Sequence, residues 1–266
     1  MHARKKCHHH IWLLSGTEDG KPLAKALISL GWDVSVSVTS LQGSKPYLDL
    51  PLRSLWIGQL DGVKGIQSVL QKARDSNNPF NWVVDATHPF ALQISLNLQI
   101  ACKDFDQKLI RYERFCENLE GANFIKNLKD IGNVNLKGKR LLLAIGARHL
   151  KEGAFFARKS GATVFARVMP SSESVVKSLA SKVPDNRLAV IHPSHNQTNG
   201  ELEKALCRKW LITSVLCRQS GGSTQKVWQS ICKQNNLDLW LISRPCLSKT
   251  VETVHNNADL LKRIAF

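Results

Sequence analysis

Ile11-Trp12-Leu13-Leu14-Ser15-Gly16-Thr17-Glu18-Asp19-Gly20-Lys21 opens with an unbroken apolar run, turns through small residues and enters an amphipathic stretch that reaches about Leu30 and closes at Gly31. A short run with no polar alternation reads as a strand buried on both faces, and its passage into a helix is the start of a βαβ unit. Working outward, strand-like Asp33 to Val38 comes next, then a polar, Pro-containing loop and strand-like Ser54 to Gly58. A helix from about Gly62, a strand Trp82 to Asp85, a helix from Pro89 and a strand Lys108 to Tyr112 complete a five-strand unit.

After a polar stretch holding Gly121, Gly132 and Gly138 the alternation restarts: Arg140 to Ile145, Thr163 to Val168, Leu188 to Ile191, Ile212 to Cys217 and Leu239 to Ser243, with helical patterns between. The expected class is therefore α/β, with two doubly wound parallel-sheet domains of Rossmann or flavodoxin type. The expected boundaries are a basic, His-rich tail over 1–10, a first domain over 11–116, a linker region over 117–138 and a second domain over 139–266. In such sheets ligands sit beyond the carboxyl ends of the strands. Residues 16–20, 85–89 and 218–224 are thus expected to line one interdomain cleft.

Composition narrows the function classes. Among 266 residues the chain carries 37 Lys and Arg against 21 Asp and Glu, a net charge of +16, which raises the local concentration of anionic partners. The basic residues are dispersed and only 2 Tyr occur, so the basic-aromatic interleaving of a single-strand nucleic-acid binder is weak. A solvated surface is the plain alternative. No apolar run approaches the roughly 18 residues of a membrane span, and Met1 to His10 lacks the apolar core of a secretory signal. A cytoplasmic protein with neither membrane nor nucleic-acid partner is expected. Seven scattered cysteines without a C-x-x-C pair argue against a disulfide framework or a structural zinc site. Cys7-His8-His9-His10 and His192-x-x-His195 offer metal-type atoms without a complete ligand set, and no protein-bound metal is expected.

Several strand ends carry chemistry. Ser15 to Lys21 offers backbone amides at a helix entrance, where phosphate binds, but lacks both G-x-G-x-x-G and the Walker pattern, and a structural turn would look the same. The run Val83-Val84-Asp85-Ala86-Thr87-His88-Pro89-Phe90 delivers an acid, a hydroxyl and an imidazole onto one rim, with Pro89 suited to the first helical position and His88 to the N-cap. Arg111 and Arg114, Arg167 and Arg244 close three further strands; an arginine at a strand's carboxyl end can pair bidentately with carboxylate, although each taken singly is more often a surface ion pair. Cys217-Arg218-Gln219-Ser220-Gly221-Gly222-Ser223-Thr224 is a second candidate phosphate cradle.

These pieces together resemble the precorrin-6A reductase family, which includes the cobalt-precorrin-6A reductases. Asp85-Ala86-Thr87-His88-Pro89-Phe90-Ala91 is similar to the family's D-A-T-H-P-[FY]-A signature and is the most specific match. Ser15-Gly16-Thr17 with Asp19-Gly20 resembles its G-G-T turn, Arg111 to Arg114 its R-x-x-R, Ala166 to Pro170 its A-R-V-L-P, Arg218 to Gly222 its K-x-S-G-G and Arg244-Pro245 its R-P. Ser15 stands in place of the first glycine, Arg218 in place of lysine, and Ala144-Ile145-Gly146 replaces T-T-G.

The resemblance implies reduction of one double bond of precorrin-6A or cobalt-precorrin-6A, with hydride from NADPH (or NADH) and no flavin, during cobalamin biosynthesis. It implies a cofactor site at Ser15, Gly16, Thr17, Asp19, Thr87, Gly146, Arg218, Ser220, Gly221 and Gly222. Substrate carboxylates fall to Arg111, Arg114, Arg167 and Arg244, and a hydrogen-bonding or proton-relaying role to His88, oriented by Asp85. The alternatives are an NAD(P)-dependent oxidoreductase of similar fold acting on another anionic substrate, a basic nucleic-acid binding module, and a tetrapyrrole metal chelatase using His192 and His195. Nothing in the sequence sets an oligomeric state; a monomer is compatible with it.

Overall fold

The computed structural model describes residues 9–115, 119–192, 200–245 and 251–265. They fall into two units, one made of the described residues up to 115 together with those from 251 onward, the other of 119–245. The first unit runs β1 (His10–Ser15), α1 (Gly20–Ser29), β2 (Asp33–Val38), α2 (Leu41–Ser44), β3 (Ser54–Ile57), α3 (Gly62–Asp75), β4 (Trp82–Ala86), α4 (Leu92–Asp104) and β5 (Leu109–Tyr112). The second runs β6 (Ala122–Ile125), β7 (Arg140–Ala144), α5 (Ala147–Lys159), β8 (Thr163–Val168), α6 (Ser172–Leu179), β9 (Leu188–Val190), α7 (Glu201–Lys209), β10 (Ser214–Arg218), α8 (Ser223–Gln234) and β11 (Asp238–Ile242). The chain then returns to the first unit with β12 (Glu252–Val254) and α9 (Asn257–Ile264).

Each unit holds a six-stranded parallel sheet, ordered β12-β5-β4-β1-β2-β3 and β6-β11-β10-β7-β8-β9. The apolar run read as β1 is buried throughout because both faces are covered. Ile11 and Leu13 enter a core with Leu23 and Leu27 of α1 and Leu260 and Ile264 of α9. Trp12 and Leu14 enter the opposite core with Ile66 and Leu70 of α3 and Leu98 of α4. Side chains that alternate across a strand thus feed two separate layers, which is what a doubly wound sheet requires.

Three boundaries differ from expectation. Residues 139–266 do not form one domain: Glu252 aligns with Ile110 and Val254 with Tyr112, so the C-terminal segment supplies the edge strand of the first sheet. The expected linker contains β6, which aligns Leu239 to Ile242 with Ala122 to Ile125 at the edge of the second sheet. Both strands are short edge pieces with exposed residues, Glu252 and Thr253 in one, Asn123 and Phe124 in the other, so neither carries the apolar run of a central strand. Third, His10 is not tail: it is buried as the first residue of β1, packs on Phe80 and places Nε2 2.9 Å from Ser35 Oγ.

At the first turn, Tyr47 donates its hydroxyl to Ser15 Oγ at 2.6 Å, and this pair packs against Gly20. A Cβ on Gly20 would lie 1.8 Å from Ser15 Oγ and 2.1 Å from Tyr47 Oη. Gly20→Ala is therefore expected to cost about 1–3 kcal/mol in urea denaturation, as overpacking does.

Candidate functional site

In each sheet the strand order reverses at one pair of neighbouring parallel strands, β1 with β4 and β7 with β10, the switch point beyond whose carboxyl ends sheets of this kind bind ligands. The segments that follow the strands at the first switch point are Ser15 to Gly20 and Ala86 to Ala91, and at the second Ile145-Gly146 and Gln219 to Gly222. Most of the sequence-predicted residues therefore fall on two switch-point rims, one in each unit.

On the first rim Asp85 is 2% exposed, yet both carboxylate oxygens are filled. Thr87 donates to Oδ1 through its backbone N–H at 3.1 Å and its hydroxyl at 2.7 Å, Arg111 Nη1 reaches the same oxygen at 2.8 Å, and Ser95 Oγ donates to Oδ2 at 2.6 Å. Arg111 Nη1 also donates to Thr87 Oγ1 at 3.0 Å and Ser95 Oγ at 3.1 Å. A carboxylate offers about four acceptor sites, and this one is saturated from within the fold. Arg111, expected on substrate, is 3% exposed and serves as the buried counter-ion of Asp85, with Glu113 3.9 Å from Nη2. Thr87, expected on cofactor, spends its hydroxyl on the same cluster. Asp85 was expected to orient His88; the donors on its carboxylate are Thr87 and Ser95, and its ion pair is with Arg111.

His88 is half-buried and begins a turn rather than capping a helix. Ala91 N–H donates to the His88 carbonyl at 2.7 Å, Phe90 N–H donates to His88 Nδ1 at 3.2 Å, and α4 begins only at Leu92, with Ala91 as its N-cap. Pro89 thus presets the first corner of a β-turn, and the imidazole acts like the acceptor of an Asx turn. Because Nδ1 accepts, the proton of the neutral ring sits on Nε2. Gly16 lies against this turn: a Cβ there would come 3.2 Å from the His88 backbone nitrogen.

The opening turn satisfies itself. Thr17 Oγ1 donates to Asp19 Oδ2 at 3.1 Å and accepts from Asp19 N–H at 3.3 Å. Arg114 pairs with Asp19 and, at 3.1 Å, with Glu18. With the Ser15 hydroxyl accepting from Tyr47, only Gly16 of the four residues expected on cofactor there contributes simple close backbone approach.

The second rim is differently charged. Gly146 occupies the N-cap of α5 with φ 82°, a conformation that favours glycine, and the first turn of α5 contains no acid. Arg218 Nη2 lies 3.8 Å from where a Gly146 Cβ would stand. Burial and the neighbouring charges of Arg218 and Arg148 hold His149 below the usual imidazole range, and burial followed by Arg148 lowers Arg218 as well. A helix N-terminus without a side-chain cap, close to the charges of Arg218 and Arg148, has the chemistry to hold an anion. The Ser220 to Gly222 turn, expected as a cradle, is closed on itself: Gly221 N–H donates to Gln225 Oε1 at 2.6 Å and Gly222 N–H to Ser220 Oγ at 3.5 Å. Its Gly221, at φ 72°, shapes the turn.

Arg244 donates through Nε to Gln219 O at 3.4 Å, while its backbone N–H meets Gln219 Oε1. Arg167 on β8 is 7% exposed; its Nε and Nη2 have no hydrogen-bond partner, and burial lowers its pKa against the opposing charge of Glu203. Sequence reasoning missed Ser95, Tyr47 and Gln225, which no local pattern marks. It also missed Arg148 and His149, for which a signal existed: two basic residues and no acid directly after Gly146. Cys102 and Cys207 are buried and pushed up to about 12 and about 11, so neither is a ready nucleophile. Among the described residues no group of three His, Cys, Asp or Glu could hold a metal, and no helix is long and apolar enough to cross a membrane. His195 lies outside the described residues.

Residues 10–265 match the family model described as precorrin-6x reductase CbiJ/CobK. A cobalt-precorrin-6A reductase of Synechocystis is 29% identical over 243 residues, covering 88% of each chain. A precorrin-6A reductase of Rhodobacter capsulatus is 28% identical over 239 residues, again covering 88% of each. A solved CobK precorrin-6A reductase superposes with a TM-score of 0.70 at 22% identity, over 97% of this chain and 98% of that one, and so shares the fold.

Proposed function

Because this chain belongs to the precorrin-6x reductase CbiJ/CobK family, we infer that it reduces precorrin-6A or cobalt-precorrin-6A with a nicotinamide nucleotide, as a step of cobalamin biosynthesis. The observation that carries this reading is the family match over residues 10–265, with Asp85 to Ala91 on a switch-point rim.

When bound, the reduced nicotinamide supplies hydride to one ring double bond. We place the anionic part of the nucleotide at the second rim, where Gly146 leaves the α5 amides uncovered and Arg218 and Arg148 supply charge. NADPH suits this density of positive charge better than NADH. On the first rim the Phe90 N–H occupies His88 Nδ1, and we assign Nε2–H to the reacting substrate, where donating a hydrogen bond would stabilise charge that develops. That role is hydrogen-bond donation and not the expected proton relay. Arg114, Arg167 and Arg244 are assigned to substrate carboxylates; Arg111 is withdrawn from that set by its burial against Asp85. The net charge of +16 draws a polycarboxylate substrate towards the protein, and we assign the reaction to the cytoplasm. No flavin or resident metal is required.

Ring absorbance, followed with metal-free and cobalt-loaded substrate and each reduced nucleotide, tests the reading: reduction should depend on nucleotide, and failure with both substrates would refute it. Arg218→Ala should raise the nucleotide KM by about tenfold to a hundredfold, the equivalent of a lost charged hydrogen bond, with kcat little changed. An unchanged KM would remove the nucleotide from this rim.

A further inference from the structure

We propose that Ser95 and Arg111 are positioning residues of the reductase, fixing through Thr87 the point at which His88 meets substrate; this rests on the reading of His88 given above. Three independent contacts set the His88 backbone. Beneath it, the Asp85 cluster takes both donors of Thr87, one residue away. Beside it, Gly16 closes to the distance at which a Cβ would stand 3.2 Å from the His88 nitrogen. Beyond it, the Pro89 turn returns Ala91 N–H to the His88 carbonyl.

The first contact is the one that side chains can change. Thr87 Oγ1 has a single proton, and the geometry assigns it: Arg111 Nη1 is only a donor, so the hydroxyl accepts from Arg111 and gives its proton to Asp85 Oδ1. Ser95 Oγ accepts from Arg111 and donates to Oδ2 in the same way. Arg111 therefore sets the direction of two hydroxyls, and both point at Asp85. With the Thr87 backbone N–H also on Oδ1, residue 87 is held through main chain and side chain at once. Ser95 sits on α4 and Arg111 on β5, so the clamp ties the rim to two rigid elements. None of the three side chains needs to touch a ligand to do this.

Thr87→Val keeps the shape of the side chain and removes the hydroxyl; Thr87→Ser keeps the hydroxyl. Two readouts are taken: steady-state kinetics, and the imidazole nitrogen NMR shifts of His88, which report its tautomer without substrate. For Thr87→Val, kcat should fall about tenfold or more with nucleotide KM within about twofold, while the His88 signals move away from a pure Nε2–H tautomer. Thr87→Ser should restore both. A Thr87→Val enzyme that melts earlier yet keeps kcat and unaltered His88 signals would overturn the proposal. Should Thr87→Val not fold, Ser95→Ala replaces it, with smaller shifts of both readouts expected and an absence of either shift decisive against it. If His88→Asn leaves kcat intact while Thr87→Val still moves the His88 signals, the positioning stands and the role assigned to His88 fails.

Discussion

Arg111→Met is expected to destabilise the protein by about 3–5 kcal/mol, the range for removing one partner of a buried ion pair. Asp85 and Arg111 are each 3% exposed in their side chains, so a carboxylate left behind cannot recover its solvation from water. Thr87 and Ser95 would still donate to it, but both hydroxyls would lose the donor that directs them. At a few degrees per kcal/mol for a chain of this size, the melting temperature should drop by roughly 6–20 °C. The pair should also be coupled. In a cycle of Asp85→Asn, Arg111→Met and the double variant, the double should lose less than the sum, by about 0.5–3 kcal/mol. Additive losses would mean that the 2.8 Å contact contributes no pairwise energy, and a near-neutral Arg111→Met would return the residue to the substrate.

His88→Asn is expected to lower kcat by about 10²–10³, the effect of deleting one donor aimed at developing charge, with the nucleotide KM preserved. Asn is the informative replacement. Its Oδ1 can still accept the Phe90 N–H, as in an Asx turn, so the β-turn and the entry to α4 survive. What is lost is reach: a donor at the position of Nε2 is no longer available. His88→Ala would confuse the two roles, because it removes the turn acceptor as well. A folded His88→Asn enzyme with wild-type kcat would make His88 a turn residue only, and would move the search for the donor to other groups on the rim.

The architecture was legible because several central strands carry unbroken apolar runs, among them Ile11 to Leu14, Val83-Val84 and Leu141 to Leu143. Switch points follow from strand order, and most of the expected site residues fell on them, although Arg111, Arg114, Arg167 and Arg244 belong to other strand ends. Edge strands were not legible. Asn123-Phe124 and Glu252-Thr253 face solvent and carry no run, so the return of the chain to the first sheet left no mark in its own segment.

At the site, residue type told capacity and not direction. Ser15, Thr17 and Thr87 have hydroxyls suited to phosphate, but Tyr47, Asp19 and the Asp85 cluster, each placed by the fold, already use them. Arg111 lies near the carboxyl end of β5 and Arg114 two residues beyond it, yet one side chain turns into the protein and the other to the Glu18 and Asp19 pair. Only the partners, several of them distant in sequence, distinguish the two. The α5 N-terminus is the reverse case: Arg148 and His149 stand beside Gly146 in the sequence, with no acid in the first turn of the helix.

The most direct measurement is isotope transfer. Purified protein is given precorrin-6A, or its cobalt-loaded form, with NADPH carrying deuterium at the transferable position of the nicotinamide, and the product is weighed by mass spectrometry. The expected result is a product reduced at one double bond with a single deuterium on ring carbon, formed only when nucleotide and protein are both present. Unreduced ring with both substrates, or reduced ring free of deuterium, would contradict direct hydride transfer by this protein.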